Sequence, residues 1–150
     1  MPVAHKSIIV TGAGSGIGEG TARHLAALGA LVTVNDINAE AGERVAAEIR
    51  AAGGQAHFVR ADVTCSADVQ ALVAAAVQQY GRLDCVVNNA GWTHRNRPLL
   101  EVSEADFDRV YAINVKSIYL TAIHAVPVMR SQGGGSFINI ASTAGIRPRP

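Results

Sequence analysis

Two cysteines are all that this 150-residue sequence contains, Cys65 and Cys85. They form no C-x-x-C pair, which excludes a disulfide framework; two isolated thiols suit a reducing compartment and read as small apolar fillers. Excess charge of one sign is equally scarce. Thirteen Lys and Arg against twelve Asp and Glu leave a net charge of +1, which gives no electrostatic footprint for nucleic acid or for an anionic membrane surface. The five histidines are scattered without metal-ligand spacing, so no metal site is expected. Long apolar runs are missing at the start: "SIIV" (7–10) is only about four residues, too short for a signal sequence or a membrane span. A soluble cytoplasmic protein is the expectation. Apolar residues are plentiful, at 49% against 17% charged, enough to give one domain a core and to exclude disorder.

Short apolar runs alternate with longer Ala-rich segments of helical period. "SIIV" leads into "TGAGSGIG" and a helix from about Gly16 to Leu28, closed by Gly29. "LVTVND" (31–36) follows, then a helix capped by Asn38 and ended by Gly53 and Gly54. "AHFVRAD" (56–62) is the third strand, and Ser66 is placed to cap a helix to Tyr80. "LDCVVNNAG" (83–91) is the fourth strand running into a Gly turn. Ser103 and Asp106 have capping-box spacing and open a long helix to about Ser131. Pro127 inside it predicts a kink or a break. "SFINIAS" (136–142) is the fifth strand. Strand–helix alternation of this kind means an α/β fold, a doubly wound, Rossmann-like parallel sheet with helices on both faces. The mostly apolar strands fit a sheet covered on both sides.

The usual dinucleotide fingerprint, G-x-G-x-x-G, is also absent. Gly12, Gly16 and Gly18 nevertheless lie between the first strand and the first helix. There a chain without Cβ atoms can approach a ligand, and free N–H groups at a helix start suit a pyrophosphate. The second strand ends in Asp36, placed to hold an adenosine ribose by its 2′-OH and to repel a 2′-phosphate. No Arg or Lys stands beside it in "VNDINAE", and Ser15 occupies the loop position where a cation would help a phosphate. Both features favour NAD over NADP.

T-G-x-x-x-G-x-G at 11–18, N-N-A-G at 88–91, Asn114 in "INVKS" and Ser142 after "FINIA" together resemble the short-chain dehydrogenase/reductase family, in its order and spacing. The resemblance runs from the first strand to the fifth. It implies that Thr11 to Gly18 line the pyrophosphate, with contacts from Ser15 and Ile17, and that Asp36 reads the ribose. Asp62 and Val63 would meet the adenine, and Asn88 to Gly91 would brace the central strand, with Asn89, Ala90 and Gly91 near the cofactor. Asn114 would be the catalytic Asn, at a local distortion of the long helix, its carbonyl holding a water in a proton relay. Ser142 would be the catalytic serine. As a buried amide in an apolar helix, Asn114 is also expected to have a hydrogen-bond partner, on physical grounds alone.

One element of the family's pattern is missing. The sequence contains no Tyr-x-x-x-Lys; its only lysines are Lys6 and Lys116. The family's Tyr would fall a few residues past Pro150. Residues 1–150 are therefore expected to be the dinucleotide-binding front part of a longer single-domain enzyme, and inactive alone. For the whole protein the resemblance implies hydride transfer between NAD and a secondary alcohol or ketone: a sugar, a hydroxy acid or a ketoacyl compound. It also implies a homodimer or homotetramer. Two alternatives stand beside it: a non-catalytic NAD-binding sensor or scaffold subunit, and an NADP-dependent carbonyl or 3-ketoacyl thioester reductase. In "GWTHRNRPLLE" (91–101), Trp92, His94, Arg95 and Arg97 read as a solvated loop that could also meet an anionic or polyhydroxy substrate group.

Overall fold

The computed structural model describes residues 3–143; the "RPRP" ending lies outside the described residues. Its elements run β1 (Ser7–Val10), α1 (Gly16–Ala27), β2 (Leu31–Asp36), α2 (Ala39–Ala51), β3 (Gln55–Arg60), α3 (Ser66–Tyr80) and β4 (Cys85–Asn88). A 3-10 turn (Leu99–Glu101), α4 (Glu104–Tyr111), a π-helical turn (Ala112–Lys116), α5 (Ser117–Ser131) and β5 (Ser136–Asn139) complete the order. All strand pairs are parallel, in the order β3-β2-β1-β4-β5. The first three strands step outward from β1 in one direction and the last two in the other. That reversal places a crevice beyond the carboxyl ends of β1 and β4, the usual ligand position in open α/β sheets.

Over β1, β2 and β4 both faces of the sheet are covered, as the apolar strands predict, whereas β5 is open, with Ile138 51% exposed. Ile8, Val10, Val32, Val34 and Val87 pack against Ala22 and Ala26 of α1 and Val45, Ala46 and Ile49 of α2. Ile9 and Val86 point the other way, onto Leu72, Val73 and Ala76 of α3 and Ala125 and Met129 of α5. Strand alternation thus sends adjacent residues of β1 into opposite layers. The far end of the sheet is pinned by Asp84, which accepts from the Ser7 N–H at 2.9 Å and from Lys6 Nζ at 3.2 Å.

Several local expectations need correction. Ser66 is the first residue of α3 rather than its cap, Cys65 holds the cap position, and the Ser66 hydroxyl lies 3.0 Å from His124 Nε2 on α5. Cys65 is exposed, so it fills no core; Cys85 is half-buried on β4. Pro127 does not break its helix, which continues to Ser131. Ser103 does cap α4, accepting from the Asp106 N–H at 3.1 Å, while the Asp106 carboxylate turns to Arg97 at 3.2 Å. By length and composition the run 104–131 could cross a bilayer; in this fold Leu120, Ala125 and Met129 are instead buried against the sheet layer. The other side of that run leaves Phe107, Tyr111, Val115, Tyr119 and Ile123 exposed.

Candidate active site

Beyond the carboxyl ends of β1 and β4 lies a cleft of about 580 Å³. Its walls bring together ten of the residues picked out in the sequence: Gly12, Ser15, Gly16, Ile17, Asp36, Asp62, Val63, Asn89, Ala90 and Gly91. They come from four strand ends that sequence order separates. Gly18 lies beneath them, and a Cβ there would collide with the Gly12 carbonyl and the Asn89 side chain.

The floor of the cleft is a braced turn. Thr11 was expected to line it; instead Thr11 is only 2% exposed and its hydroxyl acts as a clasp. That oxygen accepts from the Asn89 and Ala90 N–H groups, each at 3.0 Å. Asn89 Nδ2 donates back to the Thr11 and Gly12 carbonyls at 2.9 and 3.1 Å. Asn88 extends the brace sideways, donating to Asn139 Oδ1 at 2.8 Å and accepting from the Thr121 hydroxyl at 2.9 Å. The loop after β1 and the turn after β4 are therefore one hydrogen-bonded unit. Gly12 belongs to the same joint: its φ is +61°, and a Cβ there would come 2.8 Å from the Ala90 Cα.

This frame fits a dinucleotide. Gly16 has φ of +56° and open space where a Cβ would point. The Ser15 side chain makes no capping bond to α1, which leaves the first-turn N–H groups available to an anion. Ile17 is 69% exposed beside the cleft, an apolar surface without cover from the protein. At the far end the Asp36 carboxylate is held by two backbone donors, Gly14 N–H and Asn38 N–H, each at 2.9 Å. Asp62 is fixed by a local turn in which its Oδ1 accepts from the Thr64 N–H and hydroxyl at 2.9 and 2.7 Å.

Asn114 and Ser142 are not on the cleft wall as drawn by these residues. Asn114 sits inside the π-helical turn, the distorted part of the long helix. Half-buried rather than buried, its side chain still has a partner: Nδ2 donates to the Trp92 carbonyl at 2.8 Å and Oδ1 accepts from the Trp92 N–H at 2.9 Å. The side chain thus fastens the strand-β4 turn to the helix and leaves any further role to its backbone. Ser142 follows β5, whose continuation is tied to β4 by Ile140 N–H donating to the Asn88 carbonyl at 2.9 Å. It stands at the same sheet edge as Asn89.

Sequence reading missed some of the lining. Arg109, Ala112 and Ile113 close one side of the cleft. Arg109 lies 4.3 Å over the Trp92 ring, a cation–π contact. The available signal was helical spacing: Arg109 and Ile113 are one turn apart, just before Asn114. The cations near Asp36 were also missed, because they are distant in sequence. Arg60 is its register partner on β3, and Arg44 bonds the carbonyl of Gly14 at 3.1 Å. In the loop, Arg97 is engaged with Asp106, and His94 Nδ1 lies 2.8 Å from the Arg95 carbonyl.

Comparison with known proteins agrees with this architecture. A family model described as short chain dehydrogenase matches residues 6–150. The 4-formylbenzenesulfonate dehydrogenase of Comamonas testosteroni is 52% identical over 142 residues, 95% of this chain and 56% of the relative. A 2,5-dichloro-2,5-cyclohexadiene-1,4-diol dehydrogenase of Sphingobium indicum is 45% identical over 142 residues, 94% of this chain and 56% of the relative. Among solved structures, a 7α-hydroxysteroid dehydrogenase complexed with NADH and 7-oxo glycochenodeoxycholic acid superimposes with a TM-score of 0.93 at 39% identity. The match covers 98% of this chain and 57% of that one. The chain thus spans about half the length of the proteins it matches.

Proposed function

The chain belongs to the short-chain dehydrogenase family, and from that premise we propose that the whole protein is an NAD-dependent oxidoreductase acting on a hydroxyl or carbonyl group carried by a ring compound. The observation that carries the cofactor reading is the Asp36 carboxylate, held by two amides at one end of a glycine-lined cleft. A carboxylate there suits two ribose hydroxyls and repels a 2′-phosphate. A superimposable relative's structure holds NADH, which supports the same choice. The substrate reading rests on names: 4-formylbenzenesulfonate, 2,5-dichloro-2,5-cyclohexadiene-1,4-diol and 7α-hydroxysteroid dehydrogenases are among the proteins it resembles.

Bound nicotinamide would supply the hydride donor or acceptor. In this reading the chain's own residues bind and orient. The first-turn amides of α1 receive the pyrophosphate, Asp36 the ribose, and Asp62 and Val63 the adenine edge. Ser142 donates a hydrogen bond to the substrate oxygen, while the Asn114 carbonyl holds a water of the proton path. The exposed apolar face that includes Tyr111, Val115 and Tyr119 is read as a subunit contact of a dimer or tetramer.

The test is Asp36→Ala in the full-length protein, with dissociation constants for NADH and NADPH measured side by side. The reading expects NADH binding to weaken about tenfold or more, as loss of charge-assisted hydrogen bonds of about 1.5–3 kcal/mol implies. Unchanged NADH affinity removes Asp36 as the ribose reader. A panel of cyclic and aromatic alcohols, aldehydes and ketones, followed by NADH absorbance, tests the substrate class; turnover confined to acyclic compounds contradicts it.

A further inference from the structure

Asp36 has a neighbour that its own segment of sequence does not show. Gly14 joins the two: its N–H donates to Asp36 Oδ2 at 2.9 Å, and its carbonyl accepts from Arg44 Nη2 at 3.1 Å. A Cβ at position 14 would lie 2.8 Å from Asp36 Oδ2 and 3.0 Å from the Ala41 Cβ. The loop, the carboxylate and α2 are therefore in direct contact. A planar guanidinium stands one residue away from the group that reads the ribose. Arginine is the side chain best suited to a phosphate dianion.

Arg44 is already engaged. It donates to Glu19 Oε2 at 2.9 Å and Oε1 at 3.2 Å, and to Glu48 Oε2 at 3.3 Å. Glu19 is in turn gripped by Arg23 at 3.0 and 2.8 Å, and Arg23 also pairs with Glu48. Two arginines and two glutamates close a cluster with no spare charge. Arg44 and, second, Arg23 pull the Glu19 carboxyl down to about 2, so it stays ionised at any working pH. We propose that Glu19 is a second determinant of cofactor preference, acting by holding Arg44 on the loop and denying it to a 2′-phosphate. This deepens the NAD reading above and rests on it. Asp36 excludes the phosphate by repulsion. Glu19 takes away Arg44, one of the two cations that would otherwise attract it. Removing the Asp36 carboxylate also frees the Gly14 and Asn38 amides and leaves its register partner Arg60 in place, so in that background release of Arg44 adds a further cation to a site that no longer repels a phosphate.

The experiment compares full-length Asp36→Ser, Asp36→Ser/Glu19→Gln and Asp36→Ser/Glu19→Gln/Arg44→Gln with the parent. Dissociation constants for NADH and NADPH are read from the fluorescence of the bound nicotinamide. Adding Glu19→Gln to Asp36→Ser is expected to tighten NADPH about twofold to fivefold, the scale of one exposed ion pair, and to leave NADH unchanged. Arg44→Gln is expected to cancel the gain, and Glu19→Asp in place of Glu19→Gln to abolish it. Equal shifts for both cofactors would mean a merely structural role, and a gain that survives Arg44→Gln would remove Arg44 as the ligand; either result overturns the proposal. If the parent binds NADH yet Glu19→Gln brings no NADPH gain, the inference alone fails. If the parent binds neither cofactor, the NAD reading fails and the inference with it.

Discussion

Replacing Thr11 by Val isolates the clasp beneath the cleft. The two side chains have nearly the same shape, so the change deletes a hydroxyl, which accepts from two amides and donates to the Val87 carbonyl at 3.4 Å, rather than volume. The Thr11 oxygen satisfies the N–H groups of Asn89 and Ala90, each at 3.0 Å. A methyl in its place leaves both donors without a partner on the protein. Each orphaned buried donor costs about 1–3 kcal/mol, which bounds the loss at about 2–6 kcal/mol. Asn89 and Ala90 are themselves half-buried, so water compensates part of it, and the extra apolar group returns roughly 0.8 kcal/mol. A net loss of about 2–3 kcal/mol follows, in the range of a broken buried network. Equilibrium urea unfolding of the full-length protein, followed by circular dichroism, should show the midpoint falling by roughly 1 M at an ordinary slope. Thr11→Ser keeps the oxygen and should stay close to wild type. A valine variant that unfolds with the wild-type midpoint, or a serine variant as damaged as valine, would refute the reasoning.

Gly12→Ala should destabilise the full-length protein by at least about 1 kcal/mol, because a side chain at a left-handed φ costs on that order and its Cβ would press 2.8 Å from the Ala90 Cα; urea unfolding of the variant checks it. Asn114→Leu deletes both bonds to the Trp92 backbone and should cost about 1–3 kcal/mol, with faster hydrogen exchange at the Trp92 amide as the specific readout. His57 lies in β3 with both ring nitrogens buried and without partners among the described residues, its ring edge-on to Tyr80. Burial, and then nearby Arg50, lower its pKa below the ordinary 6.5. The unfolded chain therefore binds the proton first, so stability is complete above pH 6.5 and declines as pH falls toward the folded-state pKa. Urea midpoints between pH 7 and pH 5 should drop less in His57→Leu than in wild type.

The strand and helix order was legible because its signals are local. Apolar runs, the cap at Asn38 and the glycine after Tyr80, which adopts φ of +73° at the end of α3, depend on a few neighbouring residues. The convergence of Gly12, Asp36, Asp62 and Asn89 on one edge was legible too, since parallel strands carry all their carboxyl ends to the same side. Ser66 was misread because the same residue type serves as a cap and as a first-turn residue, and the hydroxyl finds His124 on α5, 58 residues away. Thr11 was misplaced because facing inward or outward at a strand end depends on its partner strand. Arg60 escaped because strand register sets it opposite Asp36, and Arg44 because helix packing, not sequence proximity, sets it on the Gly14 carbonyl. That Asn114 has a partner was predictable in kind, an amide in an apolar helix, but its identity as the Trp92 backbone required the fold.

A crystal structure of the full-length protein grown with NADH is the most direct measurement. It should place the pyrophosphate on the first-turn amides of α1 beside Gly16 and the adenosine ribose hydroxyls on the Asp36 carboxylate. A dinucleotide bound elsewhere, or one in this cleft with its ribose turned away from Asp36, would contradict the account.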